Sequence, residues 1–131
     1  MSSQNQGRLT KEFRDRTKSY AASAIRLFIN LPKKNEEVSV CGRQMLRAST
    51  SVAAHIREAS RSRSDAEFIS KLGGALQELD ESQLWLELLE EECRIAPITT
   101  LGAQQEASEL IAIMTSMVHR TRTKSLNVQG P

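Results

Sequence analysis

The sequence predicts an all-α protein, an antiparallel up-down-up-down four-helix bundle. Three observations carry this. Apolar residues recur at three- and four-residue steps through most of the chain, the spacing that gathers them on one face of a helix. Ala, Leu, Glu, Arg and Gln are plentiful, while Pro occurs 3 times and aromatic residues make up 4% of the chain, which favours helix over strand and an aliphatic core. The segments between periodic stretches are short, which forces consecutive helices to be antiparallel neighbours. At 131 residues, 39% hydrophobic and 26% charged, the chain is expected to form one soluble globular domain.

Residues 1–9 are read as a flexible N-terminus, 10–123 as the bundle and 124–131 as a disordered tail. Thr10 is the expected N-cap of the first helix, whose seam is Phe13, Tyr20, Ala24, Leu27 and Leu31, running through Thr17. A weaker second stripe, Ala22, Ile25 and Ile29, suggests another neighbour. Pro32 ends the helix because proline disfavours helical geometry in the residue before it.

The second helix is expected from about Glu37 to Ala59, with Val38, Cys41, Met45, Ala48, Val52 and Ala59 as its seam. At 100° per residue, Arg43, Arg47, Thr50, Ala54, Arg57 and Arg61 form a stripe on the opposite face. Gln44, Ser51, His55 and Glu58 make one polar flank.

Ser64 and Glu67 form a capping box for the third helix, expected to run to about Arg94 with a seam of Ile69, Leu72, Leu76, Leu79, Gln83, Leu86 and Cys93. Its back, Glu67, Gly74, Glu78, Glu81, Trp85 and Leu88, is acidic and then apolar. Gly73-Gly74 weakens a helix by about 1 kcal/mol per glycine, and close approach of another helix is the usual reason to tolerate that. Ala96-Pro97 closes the helix, Thr99 or Thr100 caps the fourth, and Leu101, Ala107, Leu110, Ile111, Met114, Met117 and Val118 form its apolar face.

Charge is unevenly spread. Residues 1–63 hold 13 Lys/Arg and 5 Asp/Glu, residues 64–110 hold 2 and 11, and residues 111–131 hold 3 and none. A basic first half beside an acidic third quarter fits a polyanion site, or two surfaces made for each other. Cys41 and Cys93 lack metal or redox spacing and read as small core residues in a reducing, cytoplasmic setting. No apolar run is long enough for a membrane span, and the N-terminus has no signal-peptide core.

Several motifs appear in a fixed order: Leu31-Pro32, Gln44-Met45-Leu46-Arg47-Ala48, Ser51-Val52, Glu58, then Ser64, Glu67, Phe68 and Leu72, with Ala75, Glu81 and Leu86 following. This order resembles the small four-helix-bundle proteins encoded in intervening sequences of bacterial 23S ribosomal RNA genes, related in fold to the accessory variability determinants of diversity-generating retroelements. The resemblance covers most of residues 20–90. It departs at Ala53–Ala59, where the family usually reads Pro-x-Asn-Ile-Ala-Glu-Gly, and at Gln77-Glu78 in place of a Gly-Ser. What it implies is a bundle that assembles into a small ring, commonly a pentamer, without known enzymatic activity. Retroelement relatives bind nucleic acid and a reverse transcriptase through such a ring, which reaches this chain by analogy of fold.

Arg43, Arg47, Arg57 and Arg61, with Arg63, Lys33 and Lys34 near their ends, are the candidate nucleic-acid-binding residues, because guanidinium forks suit phosphate oxygens. No aromatic side chain interleaves them, so RNA or DNA binding would tolerate any sequence. Alternatively this face docks on the acidic back of the third helix in the next subunit. Ile25, Ile29, Arg47, Glu58, Glu78, Glu81, Trp85 and Leu88 are the candidate homo-oligomer interface.

His55 and Glu58 do not make half of a di-metal site, since the seams supply Gln83 and almost no other inward ligand. No catalytic, metal or cofactor constellation is assembled. The expected function is a non-enzymatic ring scaffold that binds nucleic acid. The alternative is a protein-protein adaptor whose charges serve assembly alone.

Overall fold

The computed structural model describes residues 7–129, with side chains through residue 127. Four helices follow in order: α1 (Lys11–Asn30), α2 (Glu36–Ser60), α3 (Asp65–Glu91) and α4 (Pro97–Gln129). Each packs on its sequence neighbours and α1 also touches α4, the adjacency of an antiparallel four-helix bundle.

The caps explain the helix ends. Thr10 Oγ1 accepts from the Phe13 amide at 3.1 Å, and Ser64 Oγ accepts from the Glu67 amide at 3.1 Å. At the end of α1, Leu31 turns extended before Pro32, and the Lys33 ammonium donates to the carbonyls of Phe28, Ile29 and Leu31 at 2.7, 3.2 and 3.2 Å. The same ammonium lies 4.7 Å from the Phe28 ring centre.

Four boundaries differ from the sequence expectation. α3 stops at Glu91 rather than Arg94, in a turn where the Ile95 amide reaches back to the Leu89 carbonyl at 2.9 Å and Arg94 takes a left-handed φ of 62°. α4 begins at Pro97 itself, not after a threonine cap, because proline's fixed φ and missing N–H suit a first helical turn. Thr100 is instead buried, donating to Glu90 Oε1 at 3.2 Å.

The other two lie at the chain ends. α4 continues to Gln129 instead of giving way to a tail at Lys124, and is about 50 Å long for its 33 residues. Ser125 ties this extension to the start of α3 with a 2.7 Å bond to Asp65 Oδ2. Residues 7–9 are likewise built in. The Arg8 amide donates to the Ser60 carbonyl at 2.8 Å, its guanidinium meets Asp65 at 2.6 Å, and Leu9 is buried. Arg8 holds the Asp65 carboxyl below its ordinary range, with help from the Ser125 hydroxyl. Residues 1–6 and 130–131 lie outside the described residues.

The core divides into two clusters. Phe13, Val52, Ile56, Phe68, Leu72, Leu79, Leu110 and Met114 fill one. Ala24, Leu31, Val38, Met45, Leu86, Leu89 and Ile95 fill the other. Between them lies a buried polar layer: the Tyr20 hydroxyl bonds Ser82 Oγ at 2.6 Å, and Ser82 Oγ bonds Ser49 Oγ at 2.7 Å. Three helices thus meet through three hydroxyls, and burial raises the Tyr20 phenol above its usual pKa.

The buried line of α3 is Phe68, Leu72, Ala75, Leu79, Ser82, Leu86 and Leu89. Ile69, Leu76, Gln83 and Cys93, expected in that seam, are half-buried beside it. The shift follows from α3 packing between α2 and α4, so that its buried midline falls between two apolar stripes.

Candidate nucleic-acid interface

On α2 the arginine stripe faces away from the core. At 100° per residue, Arg47 lies about 40° to one side of the line through Arg43 and Arg61, and Arg57 about 40° to the other. That difference decides their partners. Arg47 leans toward α3, where its Nη2 meets Glu81 at 3.1 Å and its Nη1 meets Glu78 at 3.5 Å. Arg57 and Arg61 lean toward the start of α1, where they line a cleft of about 600 Å³ with Gly7, Lys11, Arg14 and Asp15.

Among the described residues, Arg43, Arg57, Arg61 and Arg63 have no carboxylate within 4.0 Å. All four are exposed. In the cleft, Lys11 holds Asp15 at 2.6 Å and keeps its carboxyl below the ordinary range, and Arg14 Nε donates to the Thr10 carbonyl at 3.4 Å. Lys34 is exposed, whereas Lys33 is occupied in capping α1.

The stripe therefore splits. Arg47 and Lys33 are engaged within the chain, and the positive surface is shifted toward the end of α2. Lys11 and Arg14 join it, and the sequence reading did not select them. Their signal was present: Lys11, Arg14 and Lys18 recur at three- and four-residue steps on one face of α1.

The residues expected at a subunit interface divide in the same way. Glu78 and Glu81 are met by Arg47, and Glu58 pairs with Lys71 at 2.9 Å, which lowers the Glu58 pKa. Trp85 packs against the second core cluster of its own chain. Leu88 is half-buried, while Ile25 and Ile29 remain exposed, Ile29 by 65%.

His55 Nε2 stands 4.0 Å from Glu78 Oε2, and its imidazole fills the space over Gly74, where an added Cβ would lie 3.0 Å from the ring. Among the described residues no group of three His, Cys, Asp or Glu could hold a metal ion. Cys93 sits with Cys41 against the second core cluster, and burial together with its neighbour pushes the Cys93 thiol up to about 11. No helix among the described residues is long and apolar enough to cross a membrane.

No curated protein is similar enough in sequence to match. Among solved structures, one from the S23 ribosomal protein family of Bacteroides thetaiotaomicron, itself of unknown function, is 31% identical with a TM-score of 0.72. The match covers 80% of this chain and 96% of that one. A model of one protein family also matches residues 11–116, nearly the whole bundle, and the chain belongs to that family, the 23S rRNA-intervening sequence proteins.

Proposed function

We propose that this chain is a non-enzymatic, cytoplasmic scaffold that self-assembles into a ring and binds nucleic acid through the arginine face of α2, which is densest where α2 ends beside the start of α1. The observation that carries the reading is the distribution of charge partners. Arg43, Arg57, Arg61 and Arg63 lack carboxylate partners among the described residues, while Arg47 on the same helix is neutralised by Glu78 and Glu81. Unpaired guanidinium groups concentrated on one surface attract a polyanion and release its counterions on binding. The absence of aromatic side chains from the stripe supports contact with the phosphate backbone rather than with stacked bases.

Assembly is supported by exposed apolar side chains near one end of the bundle, Ile25 and Ile29 on α1 and Ile98 and Leu101 on α4. A ring forms when a head-to-tail contact closes. The adaptor alternative, in which the arginine face docks on the acidic back of the next α3, is weakened because Arg47 already meets Glu78 and Glu81 within one chain.

The two readings separate in one experiment. Arg57→Glu and Arg61→Glu should each weaken RNA binding roughly tenfold at low salt while the mass by light scattering stays unchanged. Breakage of the oligomer by either substitution would favour the adaptor instead.

A further inference from the structure

We infer that the cleft between the start of α1 and the end of α2 seats a terminal phosphate, the phosphomonoester at the end of a nucleic-acid strand. This rests on the nucleic-acid reading above and extends it from the interior of a strand to its end.

The cleft concentrates charge more than a backbone track requires. Lys11, Arg14, Arg57 and Arg61 line one recess in which, among the described residues, Asp15 is the only carboxylate and is held by Lys11, while Arg57 and Arg61 have no carboxylate partner. An internal phosphodiester brings one negative charge per phosphate, whereas a phosphomonoester brings about 1.5 to 2 at pH 7 and three acceptor oxygens. Arg57 and Arg61, one helical turn apart, offer two guanidinium forks to one such group.

The recess is built rather than incidental. One side is the segment that enters α1, held by the Arg8 amide on the Ser60 carbonyl at 2.8 Å and by Arg8 on Asp65 at 2.6 Å. Gly7 makes this docking possible: its φ is +92°, and a Cβ there would stand 2.3 Å from the Ser60 carbonyl oxygen. The volume of about 600 Å³ accommodates a terminal nucleotide, and among the described residues no aromatic side chain lines it to stack the base.

The test compares one single-stranded RNA prepared with a 5′-phosphate, with a 3′-phosphate and with hydroxyls at both ends, bound to the full-length protein and followed by fluorescence anisotropy. At least one phosphorylated strand should bind about tenfold more tightly than the hydroxyl-ended strand. The gain should vanish in Arg57→Gln and in Lys11→Gln, each checked for folding by circular dichroism. Arg43→Gln, on the same stripe but outside the cleft, should weaken all three strands alike and keep the gain. Equal affinity for all three strands in the unsubstituted protein would overturn the strand-end assignment and leave the nucleic-acid reading standing. A gain that survives both Arg57→Gln and Lys11→Gln would place the phosphate elsewhere and overturn the cleft. Failure of every strand to bind would sink both readings together.

Discussion

At the scale of single residues, the hydroxyl layer is the feature that sequence patterns hide. Tyr20 was legible as a seam residue, because its position repeats with Phe13 and Ala24. Ser49 and Ser82 were not, because polar residues inside an apolar period ordinarily mark a solvated face, and only packing shows that both point inward and satisfy each other. The two ends of this chain of bonds should respond differently to substitution. Tyr20→Phe removes one buried bond and leaves Ser82 paired with Ser49, at a cost of about 1 kcal/mol. Ser82→Ala removes both bonds, leaving Tyr20 without its Ser82 partner and Ser49 with only its 3.7 Å contact to the Met45 sulfur, and should cost more, roughly 2 kcal/mol. Urea midpoints at unchanged m-value measure both, and equal costs would show that Ser82 does not sit at the centre of the layer.

At the scale of helices, periodicity gives the direction in which a residue points but not the neighbour it meets there. Arg47 and Arg57 belong to one stripe in the sequence, yet their angular offset sends one to α3 and the other to α1. The same limit governs Gly73-Gly74. The pair signalled close approach of another helix, and that holds for Gly74, which makes room for the His55 ring, while nothing lies within 4 Å of a Cβ at Gly73. Gly73→Ala should therefore stabilise the protein by about 0.5 to 1 kcal/mol, the usual helix-interior gain over glycine. Gly74→Ala must displace the imidazole, so its thermal midpoint should fall below that of Gly73→Ala. The reverse order would mean that His55 yields without cost. Helix boundaries were least legible at α4. Pro97 reads equally well as the end of one helix or the first turn of the next, and the few residues after Lys124 are too short a run to show an apolar stripe although they continue the helix to Gln129.

At the scale of the whole molecule, the fold class was legible because long amphipathic stripes and short turns leave few alternatives for a chain of this length, and the family was legible from the ordered motifs between Leu31 and Leu86. The division of charge was legible too, a basic first half and an acidic third quarter. Its use was not, since composition cannot tell charges paired inside a chain from charges offered to a partner. The structure makes that separation: α3 neutralises Arg47, while Arg43, Arg57, Arg61 and Arg63 lack carboxylate partners among the described residues. The most direct measurement is the salt dependence of RNA affinity, taken with a hydroxyl-ended single strand on the full-length protein. For backbone binding, the logarithm of the affinity should fall linearly with the logarithm of salt concentration, and the slope should shrink by about 0.7 for each contacting arginine removed among Arg43, Arg57, Arg61 and Arg63. Binding that is absent at 50 mM salt, or a slope that these substitutions leave unchanged, would contradict nucleic-acid binding through this surface.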